Sequence, residues 1–525
     1  MNRGRALGLL LVLAACALAL RLPDAGGRPL HNDEAVNATK LATLLTEGRY
    51  AYEPHEYHGP TLHYFALPLL WLTGARTADD LTDYRLRLVT IGFGVACVLA
   101  AGLFARGLGW PATLAAAALT AVSPAMVFYS RYFIHEMLLV VFTALLLGAG
   151  WRWWLTRKLP WALLAGAGLG LMYATKETFL IPLLAIGLAL AATALWGKWV
   201  PVPGAPLVRP RVSQHWRKPL GLALAVAAVV GTLFFTSFFT HARGPLDSVL
   251  TYAPWFERAG GASPHLQPWH FYFERLFWFH PPRSPVWSEA LVGVLALVGA
   301  GTALAGRGLA GADARLARFL TFYSFAVICG YTLIAYKTPW CLLGFWQPML
   351  LLAGLGVAVL FGLPLFHTPR RKLIVAIPLL AATIQLAWQG WRLNHEFAAD
   401  RRNPYTYSQT VPEARELIER VLGLARVHPA GDRMLVKIIA GESYWPLPWY
   451  FRDLEQTGWY DALPEDPFAP VVLASTRVGA ALDEKSGRKW IMAGMYGLRP
   501  GVFLELYVDF ELWQRYVATL PKSED

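Results

Sequence analysis

Charge is scarce in this sequence. Only 16% of its 525 residues are Asp, Glu, Lys or Arg, against about 25% in a typical soluble domain. Cysteine is scarcer, with four in the whole chain, which excludes a secreted disulfide scaffold. Cys16, Cys97, Cys329 and Cys341 lie in or beside apolar runs, so no structural disulfide is expected. No Walker loop, zincin helix or Rossmann fingerprint occurs, and no GxSxG nucleophile elbow. No fixed period marks an internal repeat. What abounds is apolar: 55% of residues are hydrophobic, with 22 Trp and 27 Phe, and the mean hydropathy is +0.38. This excludes a disordered chain and argues against an ordinary water-soluble enzyme.

A helix that crosses a bilayer needs about 20 mostly apolar residues, because unpaired backbone groups are too costly in lipid. Eleven runs meet that need: 6–22, 85–105, 111–129, 137–155, 161–178, 180–197, 219–239, 287–306, 319–336, 340–363 and 373–391. The run 60–74 is apolar but short and holds Pro60 and Pro68. It reads as a helix on or dipping into the interface. Residues 1–20 also fit a signal peptide, with Leu13-Ala14-Ala15-Cys16 as a lipoprotein cleavage box. The apolar run continues past Cys16 and ten more spans follow, which favours a retained first helix.

The net charge of +12 is a topology signal, and no basic stripe for nucleic acid is present. With Arg3 and Arg5 cytoplasmic, the inner loops hold Arg106, Arg152, Arg157, Lys158, Lys198, Arg209, Arg211, Arg217, Lys218, Arg307, Arg315, Arg318, Arg370, Arg371 and Lys372. Their one carboxylate is Asp313. The opposite side holds most of the acids, among them Asp33, Glu34, Glu53, Glu56, Glu136, Glu177 and Glu274. The positive-inside rule then places the N-terminus in the cytoplasm. An odd number of spans places residues 392–525 outside. This tail has no long apolar run, and its segments 434–440 and 471–474 read as buried strands with a helix over 447–456 between them. The expected architecture is an all-α polytopic membrane protein of about eleven transmembrane helices over 1–391, followed by a small extracytoplasmic α/β domain over 392–525.

The spans are nearly free of ionisable groups, which a transporter would need near mid-membrane. Candidate chemistry sits instead at their outer ends. The first outer loop, 23–84, holds the densest polar cluster, including Asp33-Glu34 and His55-Glu56-Tyr57-His58. An adjacent acidic pair can supply a general base and a group that holds its geometry; it can equally be a solvated, capped helix start. The second outer loop carries Arg131, His135 and Glu136. Arg suits a phosphate through paired donors, and His with Glu suits a divalent cation; a snorkelling Arg131 is the plainer alternative. Lys176 and Lys337 also stand on the outer side, disfavoured for cations, where they can meet a lipid phosphate or anchor the interface. The aromatic loop 240–286 fits an interfacial helix or sugar stacking.

Together these residues resemble the polytopic GT-C glycosyltransferases. That superfamily includes dolichyl-phosphate-mannose protein mannosyltransferases and the aminoarabinose transferase of lipid A. The shared pattern is Asp33-Glu34 after the first helix, the surface segment from His58 to Phe65, and Arg131-Tyr132 followed by Glu136. Within the group, His31-Asn32-Asp33-Glu34-Ala35, Tyr57-His58-Gly59-Pro60, Thr175-Lys176-Glu177, Lys337-Thr338-Pro339-Trp340 and Tyr444-Trp445-Pro446-Leu447-Pro448-Trp449-Tyr450 resemble a flippase-activity-associated subfamily related to an archaeal N-glycosylation component. The resemblance implies a polyprenyl-phosphate-linked sugar as donor and transfer on the outer side of the cytoplasmic membrane. Membrane lipid and other glycan-assembly proteins are the implied partners. Asp33 would be the general base, with Glu34 orienting it or the acceptor. Arg131, Lys176 and Lys337 would bind the donor phosphate. A divalent cation, as in some relatives, would find its ligands in His58, His135 and Glu136. A non-catalytic partner of a lipid-linked-sugar flippase is the alternative role. The sequence departs from the group at Gly59, where Pro is common.

Overall fold

The computed structural model describes residues 2–55, 58–201, 216–260, 265–366, 368–441 and 444–521. Glu56, Tyr57, Arg209 and Arg211 lie outside the described residues. The chain divides into two compact units. The first contains Met1–Ala25, Ala42–Phe397 and Arg402–Tyr405; the second contains Gly26–Leu41, Ala398–Arg401 and Thr406–Asp525. The acidic pair therefore groups with the C-terminal residues, although it lies soon after the first apolar helix in sequence.

In the first unit every one of the eleven apolar runs is helical. Eight helices among the described residues are long and apolar enough to cross a membrane: Arg3–Arg21, Asp83–Leu108, Glu136–Thr156, Glu177–Trp199, Arg217–Phe235, Ala314–Leu333, Pro339–Gly362 and Pro369–His395. A bent helix pair meets the same length and composition test when taken together, and Leu159–Tyr173 and Ala290–Ala305 are shorter apolar helices. The run expected at the interface is the 12-residue helix Thr61–Leu72. Small residues let helices touch through their backbones. A Cβ on Gly299 would stand 2.2 Å from the Leu352 carbonyl oxygen, and one on Gly356 2.1 Å from that of Leu295.

The bent pair joins Trp110–Val122 to Pro124–Ser130 at 59°. Pro124 has no N–H to continue the first ladder, so the break leaves orphan carbonyls on one side and orphan amides on the other. A cation and an anion meet them. Arg21, fully buried, donates to the carbonyls of Ala121 (2.8 Å) and Thr120 (3.3 Å), to Ser130 Oγ (2.8 Å) and to Ala17 of its own helix (3.0 Å). Glu289 accepts from the Ala125 amide (2.8 Å), Ser123 Oγ (2.5 Å), Tyr405 O–H (2.6 Å) and Trp346 Nε1 (3.2 Å). Each charge matches the dipole of the helix end it meets. Replacing Arg21 by Met strands the two carbonyls and is expected to cost about 3 kcal/mol. Thermal unfolding of the purified protein in detergent checks this, and an unchanged midpoint contradicts it.

The second unit contains a five-stranded mixed sheet: β1 Val436–Ile439, β2 Thr457–Tyr460, β3 Val471–Ser475, β4 Trp490–Arg499 and β5 Val502–Asp509. Their order is β2-β1-β3-β5-β4. β1 runs parallel to both β2 and β3, while β5 is antiparallel to β3 and β4. β1 and β3 are buried along their whole length, as strands in the middle of a sheet are; Lys437 in β1 is buried with them and donates to the Asp466 carbonyl (2.6 Å). The amphipathic helix Glu413–Val427 packs Leu417, Val421 and Leu424 against Val436, Ile438 and Leu473. Ile439, Val472 and Ala474 form a second cluster with Leu482 and Tyr507. Of the helix expected over 447–456, only Leu447–Tyr450 is helical.

Candidate functional site

The first unit brings the motifs expected at the outer ends of the spans together through their backbones. Gly59 N–H donates to the Thr175 carbonyl (3.1 Å) and Thr61 N–H to the Ala174 carbonyl (3.3 Å). The hydroxyls of Thr61 and Thr175 pair at 2.8 Å. A Cβ on Gly59 would lie 2.2 Å from the Ala174 carbonyl oxygen, so this junction closes only around glycine. Gly59→Ala is expected to force the two segments apart and destabilise the unit by about 1–3 kcal/mol. Thermal unfolding beside limited proteolysis of the 50–60 loop checks it; wild-type behaviour in both would show that the junction tolerates a methyl group.

His135 supports the same junction, with Nε2 2.9 Å from the Gly59 carbonyl oxygen. A carbonyl only accepts, so Nε2 carries the proton and Nδ1 is a lone-pair atom. That Nδ1 is buried and has no partner among the described residues. Burial pushes the His135 imidazole well below its usual range, with His58, His63 and Lys176 adding to the effect. Its ring lies 5.3 Å from that of His58 and 5.7 Å from that of His63, centre to centre. His58 Nδ1 pairs with Glu177 Oε2 at 2.7 Å, and Tyr52 O–H donates to the other Glu177 oxygen at 3.1 Å. Lys176 and Glu136 form a buried ion pair. Burial lowers the Lys176 ammonium, but Glu136, together with Cys341 and Glu177, more than offsets it and holds the group above its usual range.

The expected phosphate ligands thus differ in state. Lys176 is already neutralised by Glu136. Lys337 is 2% exposed and donates to the carbonyls of Ile334 (2.6 Å) and Gln267 (3.2 Å); no carboxylate among the described residues pairs with it, and burial lowers its ammonium. Trp340 of the same motif faces Tyr132, 6.2 Å between ring centres. Arg131 caps the helix Pro124–Ser130, donates to the Asp24 carbonyl (2.8 Å) and approaches His395 Nε2 (3.5 Å). His58, His135 and Glu136 lie close together, but they bond to Glu177, Gly59 and Lys176. No three His, Cys, Asp or Glu side chains among the described residues converge as a metal site does. These residues do not fit a divalent cation, and no chemical step is assigned to one.

Asp33 and Glu34 belong to the second unit and open the helix Asn32–Glu47. Glu34, fully buried, accepts from the His31 backbone N–H (3.0 Å) and approaches Arg28 (3.4 Å). His31 Nδ1 accepts from the Asp33 backbone N–H (3.1 Å) while its Nε2 pairs with the Tyr407 carbonyl (2.9 Å). This is a capping box with His in place of Ser or Thr. It requires a neutral imidazole, and burial lowers the His31 pKa in spite of Asp33 and Glu34. Glu34 is therefore the pinned acid of the pair. The Asp33 side chain is 42% exposed, and the His31 Nδ1 that lies 3.8 Å from its carboxylate carries no proton in this arrangement, so the two form no ion pair. Tyr52, Glu289 and Arg499, which lies within range of the Asp33 charge, were not singled out by the sequence.

No protein-family model and no curated relative matches the sequence. Solved structures do. ArnT from Cupriavidus metallidurans bound to undecaprenyl phosphate matches 95% of this chain and 98% of its own, with 14% identity and a TM-score of 0.57. The same protein in the apo state gives a TM-score of 0.60 at 13% identity. The oligosaccharyltransferase AglB from Archaeoglobus fulgidus, in complex with an inhibitory peptide and a dolichol-phosphate, matches 90% of this chain and 70% of its own, with 13% identity and a TM-score of 0.55. This chain shares the fold of these structures, with its apolar helices in one unit and a small C-terminal sheet in the other.

Proposed function

We propose that this chain is a membrane glycosyltransferase that moves a sugar from a polyprenyl phosphate to an acceptor hydroxyl on the outer side of the cytoplasmic membrane. The observation that carries the reading is the division of labour in the acidic pair. Glu34 is consumed by the capping box, whereas the Asp33 carboxylate accepts no hydrogen bond from the described residues. A weak hydroxyl nucleophile needs such a base. In this reading the acceptor proton passes to Asp33, the acceptor oxygen bonds to the anomeric carbon, and the bond from that carbon to the phosphate oxygen breaks. The electron pair leaves with the phosphate. A single displacement of this kind inverts the anomeric centre. The departing phosphate needs cations more than it needs an acid. In the first unit Arg131 and Lys337 are the candidates for that role, while Lys176 would have to exchange Glu136 for the phosphate. The likeness to a fold solved with undecaprenyl phosphate bound supports the choice of donor class.

Mass spectrometry of lipid-linked and surface glycans, with and without the protein, tests the proposal. Loss of one sugar from a surface glycan, with its polyprenyl-phosphate donor accumulating, is the expected result. Intact lipid-linked glycan accumulating with no sugar missing would overturn it in favour of a flippase partner.

A further inference from the structure

Arg499 ends β4 in the same unit as Asp33. The segment that carries Asp33 is fastened beside that strand end. Thr410 Oγ1 donates to the Leu30 carbonyl (2.7 Å), Tyr450 O–H accepts from the Leu30 N–H (2.8 Å), and Arg415 donates to the Gly26 carbonyl (3.0 Å). The Val411 N–H, one residue on from Thr410, donates to the carbonyl of Leu498, the residue before Arg499. Arg499 and Asp33 thus come within electrostatic range, yet they form no direct ion pair among the described residues. Arg499 Nε is buried and has no acceptor. The Asp33 carboxylate has no hydrogen-bond donor among the described residues, and the neutral His31 ring 3.8 Å away is no counter-ion. A half-buried guanidinium without a carboxylate is costly to keep, and its planar fork suits carboxylate or phosphate oxygens. Burial lowers the Arg499 pKa more than Asp33 raises it, consistent with a cation that lacks its counter-ion.

We propose that Arg499 binds an anionic oxygen group of the acceptor, a phosphate or carboxylate carried close to the hydroxyl that Asp33 deprotonates. The inference rests on the transferase reading and adds the acceptor's chemical class to it. It also gives the C-terminal unit a role: its β4–β5 hairpin fixes one end of the acceptor while Asp33 takes the proton at the other. Anchoring the acceptor at two points converts a diffusive encounter into an oriented one.

Two measurements test it. In the first, the full-length wild-type protein in detergent is modified by phenylglyoxal, and the rate at each arginine is read by peptide mass spectrometry. Inorganic phosphate is expected to slow modification of Arg499 several-fold and leave the exposed Arg488 unchanged; equal rates at Arg499 with and without phosphate overturn the proposal. In the second, Arg499→Gln is expected to lower the surface-glycan product at least tenfold, with Arg499→Lys, which keeps the charge, recovering part of it. Wild-type product from Arg499→Gln, with Asp33→Asn inactive, would sink this inference and leave the transferase standing. Wild-type product from both Asp33→Asn and Glu34→Gln would sink the transferase itself. Should Arg499→Gln fail to fold, phosphate protection of the wild-type chain decides.

Discussion

Asp33→Asn is expected to lower product formation about 10²–10⁴-fold, the range a positioned general base contributes, while the chain keeps its stability. The substitution is nearly isosteric and removes a carboxylate that makes no hydrogen bond to the described residues, so little folding energy depends on it. Glu34→Gln should behave in the opposite way. An amide oxygen can still accept from the His31 N–H, but the charge near the helix N-terminus and beside Arg28 is lost. The expected cost is about 1 kcal/mol of stability, with a smaller effect on turnover. Glycan mass spectrometry reads the first quantity and thermal unfolding the second. If Glu34→Gln removes the product and Asp33→Asn does not, the roles assigned to the pair are reversed.

Much of this architecture is legible in the sequence, because lipid imposes a coarse and long-range demand. Every apolar run near 20 residues long became helical, the run 111–129 as a bent pair, and the strands near 436 and 471 are largely apolar, with Lys437 the one charge inside β1. β4 and β5 are harder to see. β4 contains Gly494 and Gly497 and shifts register against β5 at both, which breaks the period-two alternation that marks a strand. The helix Glu413–Val427 has a clear apolar stripe, but hydropathy sufficient for membrane spans passes over it. Pairing across the sequence is the part that no local pattern carries. Glu289 reads as an ordinary acid beside an apolar run, yet it meets the broken helix 164 residues earlier at Ala125. As residue types Asp33 and Glu34 are alike, and the N–H of His31 with Arg28 separates the pinned carboxylate from the open one. Gly59 looks like a departure from a proline pattern; the Ala174 carbonyl against it supplies the physical reason.

The same limit applies to Lys176, whose place on the outer side suggested a phosphate ligand and whose partner is Glu136. The two assignments make different predictions. If the ion pair is structural, Lys176→Met leaves a buried carboxylate without its cation, and breaking a buried pair in that way costs about 3–5 kcal/mol. Glu136→Leu should be similarly harmful, because it leaves the ammonium of Lys176 buried without its partner. Replacing both residues together removes both charges, and a large part of the stability is expected to return. Thermal unfolding of the two single variants and the double variant in detergent gives the coupling directly. If Lys176 serves the donor phosphate instead, Lys176→Met unfolds near the wild-type temperature, its product falls steeply, and the double variant recovers none of it. A folded, active Lys176→Met would exclude both roles.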